Sequence, residues 1–231
     1  MPFRSRGRDP RGRWRCAMAE GTSIRSVRDD RDLAALLDIY RRAIPRSERR
    51  SDEAIAALLD SPAHRLAVAD RGGEVVGFYV LFVGGAVAML EYLAIRETAR
   101  GGGLGSALYR HARSAAGALP LLVEVESDRA EGPERSLRSR RKAFYRRLGC
   151  RELAGLRYRL PLGDDPPAID LLVDSPSSGV KKDELETWLR EIYTRVYGCA
   201  ADDPRLAAML APLPEMLELA EVRLRDSSCR T

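Results

Sequence analysis

Residues 86–118 read AVAMLEYLAIRETARGGGLGSALYRHARSAAGA. The apolar run through Met89, Leu90, Glu91, Tyr92, Leu93, Ala94 and Ile95 reads as a strand. A turn leads to Arg100 and the glycines Gly101, Gly102, Gly103 and Gly105. Leu104, Ala107, Leu108, Ala112 and Ala115 then share one face of a helix that Gly117 ends. Glycines allow backbone N–H groups close to an anion, and a helix N-terminus adds partial positive charge at the same point. The stretch is therefore expected to seat a phosphate.

Before it, Leu66–Ala69 and Val75–Val83 are strand-like runs divided by Asp70, Arg71, Gly72 and Gly73, which reads as a hairpin. Gly84 and Gly85 turn the chain into the strand of the opening stretch. Earlier still, residues 22–27 alternate as a strand, Asp29 or Asp30 can cap, and Leu33, Leu36, Leu37, Tyr40 and Ile44 recur at helical spacing. Ser51 can cap a short second helix carrying Ile55, Leu58 and Leu59.

After the glycine-led helix, residues 120–125 read as a buried strand and residues 127–141 as a polar loop running into a helix. That helix carries Ala143, Phe144, Tyr145 and Leu148 and stops at Gly149. Residues 151–160 and 169–173 look like a closing strand pair. From Ser175 the composition turns to a linker, and Leu185, Trp188, Leu189, Ile192, Tyr193 and Val196 then form an amphipathic helix. Pro204 can open another helix, and a last one is expected over residues 215–225. The organisation expected is a disordered basic tail over 1–20, a catalytic domain over 21–175 and a helical extension over 180–231.

In residues 1–17, six arginines less one aspartate account for the whole formal net charge of +5 of the 231-residue chain. The rest is balanced, which argues against nucleic acid as the partner of the folded body. Met18 is a second candidate start, and the tail lacks the apolar segment of a secretory signal. No apolar run approaches the roughly 20 residues of a membrane span. Four widely spaced cysteines and two histidines point away from a disulfide framework or zinc site and toward a reducing cytosol.

Three phosphate loops compete for the glycines. A P-loop needs Lys and then Ser or Thr after its second glycine, and none follows. A dinucleotide loop would suit the strand–helix–strand order, with Glu124 or Glu126 as its ribose acid, yet neither glycine phase completes G-x-G-x-x-G. Arg100, Gly103 and Gly105 do complete R-x-x-G-x-G between a long strand and a helix. With Phe144, Tyr145, Leu148 and Gly149 following one helix and one strand later, the chain resembles the GNAT superfamily of acyl-CoA-dependent N-acetyltransferases over residues 22–173.

That resemblance implies an α/β fold of the α+β kind: a mixed, mostly antiparallel central sheet, splayed between its fourth and fifth strands and flanked by helices. It implies acetyl-CoA as cosubstrate, with no metal and no covalent enzyme intermediate. Arg100, Gly101, Gly102, Gly103, Leu104, Gly105 and Ser106 would bind the pyrophosphate, and the backbone of Leu93, Ala94 and Ile95 the pantetheine. Tyr145 matches the family's general acid, since a phenol with an ordinary pKa of about 10 carries its proton at neutral pH. Glu91 is the expected base, directly or through an ordered water, with Glu124 and Glu126 in reserve along the acceptor cleft.

His64, read in a turn before its strand, and His111, on the glycine-led helix, are given no catalytic part. Arg129, Arg135, Arg138, Arg140, Arg141 and Lys142 read as a solvated basic face, or as contacts for the CoA 3′-phosphate or an acidic acceptor. The Trp188 stripe is expected to pack on its own domain, with a homodimer contact as the second account. The acceptor is an amine of a small molecule or a protein. The rival from another class is a non-catalytic acyl-CoA sensor or interaction module; a dinucleotide-binding protein is more remote.

Overall fold

A computed structural model describes residues 21–222 except 130, 154 and 163–165. The basic tail expected over residues 1–20 lies outside the described residues. Nine strands form a sheet in the order β1-β2-β3-β4-β5-β7-β6-β9-β8. They are β1 (Thr22–Ser26), β2 (His64–Arg71), β3 (Glu74–Val83), β4 (Ala88–Ile95), β5 (Leu121–Glu126), β6 (Arg151–Leu153), β7 (Ile169–Asp174), β8 (Gly179–Lys181) and β9 (Met216–Glu221). The helices are α1 (Asp30–Ala43), α2 (Asp52–Ala57), α3 (Leu104–Ala115), α4 (Arg135–Arg147), α5 (Lys182–Arg195) and α6 (Pro204–Leu210). The β4–β5 pair is parallel, whereas β1–β2, β5–β7, β6–β7, β6–β9 and β8–β9 are antiparallel. This is the mixed, mostly antiparallel sheet with flanking helices that the sequence implies.

The chain divides into two compact units. Among the described residues, the first comprises 21–61 with Arg65–Val80 and Tyr92–Ser114. Asp29 caps α1 by accepting the Asp32 N–H at 2.9 Å, as its place before an apolar period predicts. Leu36, Ile39 and Tyr40 of α1 then close on Leu66 and Val68 of β2, Phe78 and Val80 of β3, and Ala94 of β4. Ser51 caps α2 by accepting the Ala54 N–H, which delivers Ile55 to the same core. The Tyr79 hydroxyl meets His111 Nδ1 at 2.8 Å, tying α3 to β3; burial pushes this phenol up to about 12.

The second unit holds Pro62–His64, Leu81–Glu91 and the chain from Ala115 onward. Its core joins Phe82, Met89 and Leu122 to Leu171 and Val173 of β7 and to Leu185, Trp188, Leu189 and Ile192 of α5. The Trp188 stripe is thus spent inside its own unit. Glu191 of α5 accepts the Gly85 and Ala86 N–H groups at 2.7 and 2.9 Å, holding the turn between β3 and β4. A Cβ on Gly84 would stand 2.5 Å from that carboxylate, so glycine is the residue that lets the turn close.

The carboxy-terminal region corrects the sequence reading. Met216–Glu221 is strand β9, not part of a helix, and it pairs with β6 and β8. Leu217 and Leu219 are buried while Met216 and Glu218 are exposed, the period of two that a half-buried strand needs. Helix propensity in Met, Leu, Glu and Ala lost to two open strand edges. The extension is therefore mixed in structure, and the last residues of the expected helix, 223–225, fall outside the described ones.

Candidate active site

β4 and β5 pair through Ala88–Leu121, Met89–Leu122 and Leu90–Val123. β4 then runs on to Ile95 and β5 to Glu126, so the last described pair leaves the far end of both strands beyond the ladder. Met89 and Leu122 sit in one core cluster. Side chains two residues apart on a strand share a face, so Glu91 and Glu124 both follow that pair onto the same side of the sheet. Two carboxylates expected singly from the sequence are thereby brought to one face, a single step past the parallel pairing.

Each stands against groups the sequence reading did not assign. Glu91 Oε1 lies 3.0 Å from His64 Nε2, with side chains 3 % and 6 % exposed. His64 opens β2 itself, not a turn before it, and its ring lies 5.5 Å from that of Phe82. Glu124 accepts the Tyr158 hydroxyl on Oε1 and the Tyr197 hydroxyl on Oε2, each at 2.5 Å. Burial first, then the neighbouring Glu124, pushes the Tyr158 phenol well up, so it donates. Tyr197 comes from the chain just after α5. The extension thus contributes directly to the surroundings of a β5 carboxylate. Glu126, at the strand end, is half-buried and stands 4.0 Å from the Arg141 guanidinium.

On the first unit, a short 3-10 turn at Glu97–Ala99 precedes the glycines. Gly101 and Gly103 take φ of +88° and +78°, values that L side chains adopt only under strain. A Cβ on Gly101 or Gly102 would meet nothing within 4 Å, so the backbone there lies bare. The first intrahelical bond of α3 runs from the Ala107 N–H to Gly103 O. The N–H groups of Leu104, Gly105 and Ser106, in the first turn, have no acceptor within the helix. This is a cradle of amide donors with the positive end of a twelve-residue helix behind it, and it fits a pyrophosphate. Leu93 and Ile95 are half-buried and Ala94 buried on the segment leading into it.

Tyr145 of α4 is buried, 8 % exposed. Desolvation pushes its phenol well above the ordinary value, the nearby Cys150 adds to the rise and Arg141 opposes it, so it is a proton-bearing hydroxyl at neutral pH. Its helix ends where the Leu148 and Cys150 N–H groups converge on Tyr145 O and Gly149 turns at φ +98°. Cys150 is a buried thiol.

The basic face is corrected. Lys142 is fully buried, its Nζ 2.6 Å from Asp170, 3.1 Å from Glu152 and 3.5 Å from Asp128. Arg129 joins the same carboxylates, 3.0 Å from Asp170 and bonded to Glu152. Burial alone would lower the ammonium, but the Asp170 hydrogen bond and charge, with Glu152, outweigh it and leave Lys142 raised. One turn before Tyr145, this lysine fastens α4 to β6, β7 and the segment after β5. It is spent on the protein and not offered to a phosphate. The signal was its spacing: Lys142 and Tyr145 lie three residues apart on the one buried stripe of a helix otherwise rich in exposed arginine.

Strand order and cradle together define a mixed α+β fold with an anion-binding loop beside its parallel strand pair. Residues 62–152 match the family model described as an acetyltransferase (GNAT) domain. No curated protein matches in sequence. Among solved structures, a Bacteroides thetaiotaomicron protein described as a GNAT-family acetyltransferase superposes with a TM-score of 0.65 at 21 % identity, covering 77 % of this chain and 99 % of that one. The Escherichia coli ribosomal-protein-S18-alanine N-acetyltransferase gives 0.51 at 23 % identity, over 66 % and 92 %. Arabidopsis thaliana Naa50, in complex with the bisubstrate analogue CoA-Ac-MVNAL, gives 0.51 at 19 %, over 67 % and 99 %. At these identities the likeness is one of fold.

Proposed function

We propose that this protein is an N-acetyltransferase that moves the acetyl group of acetyl-CoA to a primary amine, on a small molecule or a protein, by direct attack. The observation that supports this best is the placing of Glu91, a buried carboxylate one residue past the last β4–β5 pair, on the strand that leads to the R-x-x-G-x-G loop. When bound, acetyl-CoA supplies an activated acyl carbon and a thiolate leaving group.

The amide N–H groups of Arg100–Ser106 bind its pyrophosphate, with Gly101 and Gly103 free of Cβ on the approach. The backbone of Leu93, Ala94 and Ile95 orients the pantetheine arm. Glu91 takes the proton from the acceptor ammonium, because only the neutral amine carries the lone pair that attacks. Tyr145 gives its hydroxyl proton to the departing sulfur. Glu124, fixed by Tyr158 and Tyr197, and Glu126 face the acceptor side and orient the amine. Residues 21–175 carry this chemistry and 180–231 complete its acceptor face. Cys150 and Cys199 carry unoxidised thiols, which suits a reducing cytosol.

The test is turnover and CoA binding measured side by side for wild type, Glu91→Gln and Tyr145→Phe. Binding within a factor of two of wild type with turnover down at least a hundredfold in both variants is expected. Unchanged turnover in either removes that residue from its role.

A further inference from the structure

Glu91 and His64 are a buried polar pair, and no role follows for the histidine from the glycine loop or the tyrosine helix. His64 is placed by the backbone: the Val83 N–H donates to Ala63 O at 2.7 Å, locking the start of β2 against the end of β3. Its Nε2 is thereby brought to 3.0 Å from Glu91 Oε1, both side chains at least 94 % buried.

Phe82 of β3 lies against the imidazole, Arg195 of α5 sits 5.2 Å from the Phe82 ring centroid, and Arg195 is itself paired with Glu191 at 2.8 Å. Glu91 is a titratable group that meets His64 directly. Arg195 and Glu191 lie one ring further out.

We propose that His64 is the positioning residue of the base: its imidazole fixes the Glu91 carboxylate through Oε1 and shares the proton that Glu91 takes from the acceptor ammonium. This rests on the reading of Glu91 as base given above. The balance is one proton. An N–H bond of the ammonium breaks, leaving its electron pair on nitrogen, and either an O–H bond on Glu91 or an N–H bond on His64 forms. The carboxylate and the imidazole stand 3.0 Å apart and are sheltered from water, so the proton can pass between them.

The chain has two histidines, so His111→Gln leaves His64 as the only imidazole signal in an NMR titration. Comparing that protein with His111→Gln/Glu91→Gln, the His64 titration is expected to move to lower pH by at least one unit, a tenfold weakening of proton binding. A curve indifferent to Glu91 overturns the pairing. In steady-state kinetics, His64→Gln keeps an amide donor in place of Nε2 but cannot carry the proton. It is expected to lower kcat at least tenfold and shift the acid limb of the kcat/KM profile, with KM for acetyl-CoA unchanged.

An unshifted profile with only lowered thermal stability would make His64 structural and overturn the proposal. Should His64→Gln not fold, the NMR comparison, which leaves His64 in place, still decides. Absence of acetyl transfer in wild type would refute the base reading, whereas a titration independent of Glu91 refutes the pair itself.

Discussion

Replacing Lys142 by methionine removes the one ammonium from a buried cluster of three carboxylates while keeping the length and apolar stem of the side chain. Lys142 is fully buried and lies within 2.6 to 3.5 Å of Asp170, Glu152 and Asp128. Deleting one partner of a buried ion pair costs about 3–5 kcal/mol, because the remaining charge is left uncompensated. Arg129 still reaches Asp170 and Glu152, which places the expected loss at the lower end, about 3 kcal/mol. For a chain of this size that corresponds to a fall in Tm of roughly 6–12 °C, read by circular dichroism or calorimetry.

The raised ammonium adds a pH signature. A group whose folded pKa lies above its unfolded value of about 10.4 contributes fully below that value and loses the contribution as pH rises through the folded one. The wild-type advantage over Lys142→Met should therefore persist at pH 7 and shrink above about pH 10. Adding Asp170→Asn to Lys142→Met should cost less than the sum of the two single changes, since the pair is one interaction. A loss below about 1 kcal/mol, or strict additivity, would refute a network that anchors α4.

Three further outcomes are expected. Glu191 would be raised by burial, but the Gly85 and Ala86 N–H donors and Arg195 outweigh that and hold it below its ordinary value. Its stabilisation is thus present above about pH 4.5 and lost as pH falls through the folded value, so Glu191→Gln should cost about 1 kcal/mol at pH 7 and flatten stability between pH 5 and pH 3 in urea titrations. Tyr145→Phe should lower turnover about a hundredfold or more while leaving CoA affinity intact in calorimetric titration. Gly103→Val, at φ +78°, should strain the cradle by about 1–2 kcal/mol and weaken CoA binding roughly tenfold, leaving the fold of the second unit unchanged by NMR.

How far the sequence could be read depended on the range of the interaction. Gly101, Gly103, the helix from Leu104 and the stop at Gly149 are local devices of φ, period and capping, and all were legible. Glu91 and Tyr145 could be singled out because the family resemblance carried by the glycine loop and the Phe144–Gly149 run marks their positions. His64 could not, since its meaning comes from a contact across strands that are distant in the chain. Tyr158 and Tyr197 escaped for the same reason: each acquires a role only when the segment between β6 and β7 and the chain after α5 bring it to Glu124. Lys142 was lost among arginines of the same sign, although only burial separates an anchoring charge from a solvated one. β9 was misread because two leucines at a spacing of two weigh less than helix propensity until strand edges are available.

The central claim is tested most directly by incubating the wild-type protein with acetyl-CoA and a panel of amines, comprising small primary amines, peptides with free N-termini and lysine peptides. Thiol release is followed together with the acceptor's mass. The account predicts thiol release matched by an N-acetylated product for at least one class, abolished by Tyr145→Phe. Tight CoA binding with no product across the whole panel would contradict it and make the protein an acyl-CoA sensor.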